Sequence, residues 1–135
     1  MNKKKVIFTL GIGFYIASLF LPVWECKNGT EFSGLHVLMI GYMGLLYADP
    51  RWFCNIVAIT AVLSLANNKP VLKTISVCFA LLSVSTLFGP YMCGVTGGPL
   101  GYGVSPSFGN VSWVLSICLL ALYIYLIPKV TINNA

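Results

Sequence analysis

His36, Met39 and Met43 stand at i, i+3 and i+7, a spacing that shares one face of a helix. Imidazole and thioether ligands suit Cu(I). Cys26, Met92 and Cys93 fall in connections expected on the same side of the chain's apolar spans. With Tyr47, the His36, Met39 and Met43 side chains form a candidate binding face for a small ligand, a lipid or a soft metal such as copper. The competing account is packing, because methionine fills irregular gaps between helices. On that account His36 is a polar residue at an interface.

Other chemistry is scarce. The five cysteines include no Cys-x-x-Cys pair, and there is one histidine, so neither a zinc site nor a resident cofactor is expected. Cys26 and Cys93 are the two cysteines in outer connections, where an oxidising compartment would favour a bridge between them. Gly101-Tyr102-Gly103 is similar to the end of a potassium-channel filter, but Pro99-Leu100 precede it in place of Thr-Val. No Asp, Glu, Lys or Arg stands in the interior of the apolar spans, Arg51 and Lys73 lying at their starts, which argues against a proton-coupled transporter. No catalytic residue can be assigned, and an enzyme is not expected.

The elements that would hold these residues are apolar. The 135 residues are 58% hydrophobic and 8% charged, with mean hydropathy +0.88. Soluble domains carry roughly 25% charged residues, so the composition is that of a membrane protein forming one domain over 1–135. The net charge of +5 does not imply nucleic acid, since the basic residues form no patch interleaved with aromatics. The expected fold is an all-α membrane protein. It has four transmembrane helices, over residues 6–23, 50–66, 73–89 and 111–127. A short helix over 35–48 lies between the first two spans and is re-entrant or interfacial.

Local signals set these boundaries. Asn2-Lys3-Lys4-Lys5 precedes an apolar run that could be a signal peptide, but no small-x-small site stands before Trp24-Glu25-Cys26, so a retained first helix is preferred. Pro22 ends that helix. Thr9, Gly13 and Ala17 lie four apart and form its expected packing stripe. Asp49-Pro50 separates the short helix from the second span. Asn55 near the start of that span can bond a neighbouring helix. Residues 89–110 hold seven glycines and three prolines and read as a loop without regular structure.

The short helix is also expected to pack closely. Gly34, Val37, Gly41 and Gly44 share one side of it, and His36, Met39, Ile40, Met43 and Tyr47 the other. The glycine side would lie against the first helix. Charge sets orientation. Lys3, Lys4, Lys5, Lys69, Lys73 and Lys129 fall on one side of a four-span chain, and Lys27, Arg51 and all three acids on the other. The positive-inside rule then puts both termini in the cytoplasm, in a bacterial inner membrane.

Gly34, Gly41, Tyr42, Gly44 and Leu45-Leu46, followed by Trp52 and Asn55, resemble the central signature of a family of small uncharacterised bacterial inner-membrane proteins. In that pattern a proline-ended first helix precedes Gly…Gly-aromatic-x-Gly-Leu-Leu, and Trp-x-x-Asn opens the next span. The pattern has proline after the asparagine, where this chain has Ile56. The resemblance implies a four-span envelope protein and carries no activity. The expected function is therefore non-enzymatic: binding of another membrane protein or of a membrane-inserting toxin, as immunity and accessory proteins do. The alternative is small-ligand, lipid or copper handling at an outer-face pocket.

Overall fold

The computed structural model describes residues 3–26, 31–40, 50–67, 70–88 and 104–128. These residues are mostly helical. In chain order they form α1 (Lys3–Phe20), β1 (Pro22–Cys26), β2 (Glu31–Ser33), α2 (Gly34–Ile40), a 3-10 segment (Pro50–Asn55) running into α3 (Ile56–Asn67), α4 (Lys73–Val84) with a 3-10 extension (Ser85–Leu87), β3 (Val104–Pro106) and α5 (Phe108–Leu126). One helix, Phe108–Leu126, is long and apolar enough to cross a membrane; Arg51–Asn67 and Lys73–Leu87 are shorter apolar helices. The 18 residues of α1 begin with three lysines.

The four long helical segments alternate in direction, with α5 at the centre. Along α1 and α5, Phe8 meets Tyr123 with ring centroids 5.0 Å apart, and Ser112 Oγ donates to Phe14 O at 3.0 Å. Lys73 Nζ lies 4.5 Å from the centre of the Tyr125 ring, while Thr86 meets Asn110 at the other end of the same helix pair. Between α3 and α4, Cys54 Sγ donates to Phe79 O at 3.2 Å, and Thr60 Oγ1 and Ser76 Oγ are 3.3 Å apart. Thr60 already donates to Val57 O at 3.0 Å, so Ser76 is the donor in that pair. The starts of α1 and α4 thus share one end of the bundle with the finish of α5.

The opposite end carries a three-stranded antiparallel sheet, order β2-β1-β3. Glu25 pairs with Glu31 on one side and with Ser105 on the other. This sheet corrects the expectation that residues 89–110 lack regular structure. Extended pairing needs only backbone groups, so three residues of the glycine-rich connection form a strand where β1 supplies the partner. The α1 helix ends at Phe20, before Pro22, and Pro22 opens β1.

Leu21, Pro22 and Val23 fasten this cap to the helices. Leu21 O accepts from Gly34 N at 3.1 Å, Val23 O accepts from Ser107 N at 3.1 Å, and Pro22 O accepts from Ser107 Oγ. Gly34 and Gly109 pass so close to Ser18 O and to the Leu21 and Pro22 carbonyls that neither has room for a Cβ. Three junctions within three residues make the cap and the bundle one packed unit.

Candidate functional site

Asn55 ends the 3-10 segment and sits where α1, α3 and α5 converge below the cap. Its Oδ1 accepts from Tyr15 Oη at 3.0 Å and from Trp113 Nε1 at 2.8 Å. Its Nδ2 donates to Trp52 O at 2.9 Å, an i to i−3 bond that engages a carbonyl inside the 3-10 turn. Three helical segments therefore meet at one amide. The orientation of the amide follows from its partners: an indole N–H can only donate, so it must face the oxygen. Trp52 extends the node outward, because its Nε1 donates to Leu38 O of α2 at 3.0 Å.

The α2 helix is held from three sides. Ser33 Oγ accepts from His36 N at 3.4 Å in an N-cap arrangement, Gly34 is pinned against α1, and Trp52 holds the Leu38 carbonyl. Its outward face carries Leu35, His36 and Met39. Met39 is 69% exposed, and the His36 ring stands 5.3 Å from the Phe32 ring of β2. His36 and Met39 thus sit together on the outer surface. The other two members of the expected binding face, Met43 and Tyr47, lie outside the described residues.

The expected packing residues divide. Gly34 makes the close approach to α1, at Ser18 and Leu19. Gly41 and Gly44 lie outside the described residues. On α1, Thr9 and Gly13 are exposed, and a Cβ on Gly13 would meet nothing within 4 Å; Ala17 is half-buried. The face of α1 that packs runs instead through Phe8, Gly11, Tyr15 and Ser18. Gly11 is buried with Leu120 directly over it, since a missing side chain at that position admits the branched end of a leucine. The Thr9–Gly13–Ala17 stripe is therefore corrected to one shifted around the helix. Cys26 contributes its backbone to β1, and Cys93, its expected bridge partner, lies outside the described residues.

A second polar junction was not visible in the sequence. Asn110 is 1% exposed and donates from Nδ2 to Thr86 O at 3.2 Å, while Thr86 Oγ1 lies 3.2 Å from Asn110 Oδ1 and 2.7 Å from Ser83 O. The single hydroxyl proton serves one of these acceptors at a time. Asn110 belongs to the first turn of α5, where the glycine-rich composition just before it reads as loop. The one available signal was a serine, Ser107, followed by apolar residues at helical spacing.

Chemically, the arrangement can fix helices and present a surface. Asn55, Asn110 and the Tyr15 and Thr86 hydroxyls are neutral and engaged with one another or with carbonyls, while the buried Ser116 hydroxyl has no hydrogen-bond partner among the described residues. Among the described residues there is no group of three or more His, Cys, Asp or Glu side chains that could hold a metal ion. No protein-family model, curated protein or solved structure matches this chain.

Proposed function

We propose that this chain is a four-span inner-membrane protein, with both termini cytoplasmic, that acts by binding. Its partner is another membrane protein or a membrane-inserting toxin, engaged by the outer cap of α2 and the sheet. The observation that carries the membrane part is a core that mixes apolar side chains with small polar ones beneath an apolar exterior. Ser18, Ser64, Ser76, Ser83, Ser116 and Asn110 are each 1% exposed or less, whereas Phe20, Ile59, Leu81, Phe88 and Phe108 are 61% exposed or more. Soluble monomers rarely leave contiguous apolar surface on this scale. In a bilayer the pattern is ordinary: small polar residues let helices approach and bond, and large apolar ones meet lipid.

Helix length is compatible with this reading. At about 1.5 Å per α-helical residue, α5 is about 28 Å long and α1 about 27 Å, near the roughly 30 Å hydrocarbon core. The 3-10 segment before α3 rises about 2.0 Å per residue, so Pro50–Asn67 also reaches about 30 Å. The α4 segment with its extension is shorter, at about 24 Å, a mismatch that local thinning accommodates. The binding part is supported by the cap, which is preorganised by its junctions and exposes Leu35 and Met39. A surface already fixed loses less conformational freedom on association.

Reporter fusions after Asn28, Asn68, Gly98 and Asn134 test the topology, with outside, inside, outside and inside expected. An outside signal at Asn68 refutes four spans. Photo-crosslinkers at His36 and Met39 test the binding role. A discrete protein adduct from these two positions, absent from Leu81, is expected. Adducts of the same pattern at all three positions, or none at any, would remove the cap as the recognition surface.

A further inference from the structure

We propose that the lysine end of the bundle is a binding surface for anionic phospholipid headgroups, with Lys73 as its positioned ligand. The inference rests on the membrane reading above and adds a partner to it. Phe8 against Tyr123 and Lys73 against Tyr125 bring the starts of α1 and α4 to the same end of α5. Lys3 and Lys5 are exposed there. Of the sequence's three acids, Glu25 and Glu31 belong to the cap strands at the far end.

Lys73 differs from a diffuse surface charge. Its ammonium is held 4.5 Å from the centre of the Tyr125 ring, and Tyr125 is 57% exposed on the outside of the bundle. A cation over an aromatic face loses mobility but keeps its outer hemisphere open. A lysine stem can cover apolar surface while its ammonium reaches the polar boundary of a bilayer. That geometry matches a phosphate in the headgroup layer, where each added basic residue strengthens attachment to anionic lipid.

The test is native mass spectrometry of the full chain in detergent, titrated with phosphatidylglycerol and with phosphatidylcholine of the same acyl chains. Phosphatidylglycerol should bind more tightly. Lys73→Gln should weaken it by about fivefold, and Lys3→Gln with Lys5→Gln should each weaken it by a similar factor. Lys73→Arg and Tyr125→Phe should retain the preference, and phosphatidylcholine binding should not change in any variant. Equal affinity for the two headgroups, or no change with Lys73→Gln, would overturn the proposal. An acidic soluble peptide binding as tightly as phosphatidylglycerol would overturn it in favour of a protein partner. Retention of the chain in bilayers of both compositions at high salt separates the two levels. Loss from both would overturn the membrane reading and this one together, whereas retention without headgroup preference would overturn only this one.

Discussion

Replacing Asn55 with alanine should loosen the bundle at its cap end. The substitution removes one acceptor that serves two donors, Tyr15 Oη–H at 3.0 Å and Trp113 Nε1–H at 2.8 Å, and one donor to Trp52 O at 2.9 Å. Hydrogen bonds between helices in a bilayer average about 0.6 kcal/mol, so the two that join Asn55 to α1 and α5 sum to about 1 kcal/mol. Orphaning a buried donor costs about 1–3 kcal/mol, and the indole N–H cannot turn acceptor to find another partner. The expected loss is therefore about 2–4 kcal/mol. A double-mutant cycle isolates the node. Trp113→Phe removes the orphan along with the bond, so Asn55→Ala should cost less in that background, with a coupling of about 1–2 kcal/mol. Reversible unfolding in mixed micelles, followed by helical circular dichroism, gives the free energies. Asn55→Ala within about 0.5 kcal/mol of the parent, or additive effects of the two changes, would show that the amide does not join the helices.

Glycine positions offer a contrast along one helix. Gly11→Leu should cost about 1–3 kcal/mol by overpacking Leu120, whereas Gly13→Leu should unfold at the parent midpoint because nothing lies within 4 Å of it. Gly34→Ala should detach α2, read as faster hydrogen exchange at Leu38 and Met39 with the helices of the bundle unchanged, since its Cβ would strike backbone that cannot rotate away. Leu72 occupies the left-handed region at φ 49°, ψ 44°. Leu72→Val should therefore destabilise the α3–α4 turn by about 1–2 kcal/mol in the same unfolding assay, and Leu72→Gly should not.

Much of the helical order was legible because exposed and core-facing residues alike are apolar. Long runs bounded by Pro22, Pro50 and the polar turn before Lys73 leave few alternatives. What a run cannot reveal is which way it faces. In water the hydrophobic stripe of a helix marks its buried side; here α1 is apolar all round, so Thr9, Gly13 and Ala17 looked as good a packing face as Phe8, Gly11, Tyr15 and Ser18. The decision belongs to Leu120, 109 positions beyond Gly11, whose side chain needs the space that a glycine leaves. Asn55 could be singled out as a polar residue in an apolar span. Its partners could not, because Tyr15 and Trp113 are separated from it by 40 and 58 residues and look like ordinary aromatics of a membrane helix.

The sheet was hidden for a different reason. Its pairing is set by where the helices end. The α1 helix stops one residue before Leu21, whose carbonyl meets Gly34, and α5 begins one residue after Ser107, which bonds Val23 and Pro22. Once packing fixes those ends, the strands between them are brought into register, and glycine-rich composition no longer decides the local structure. The same dependence links the bundle to the proposed recognition surface. Leu38 of α2 is tied to Trp52, Trp52 to Asn55, and Asn55 to α1 and α5. A partner that seats on Leu35, His36 and Met39 therefore meets a surface whose position is set by the contacts among the helices beneath it. A small shift of α1 against α5 would move that surface, so the cap and the helices beneath it have to be read as one device.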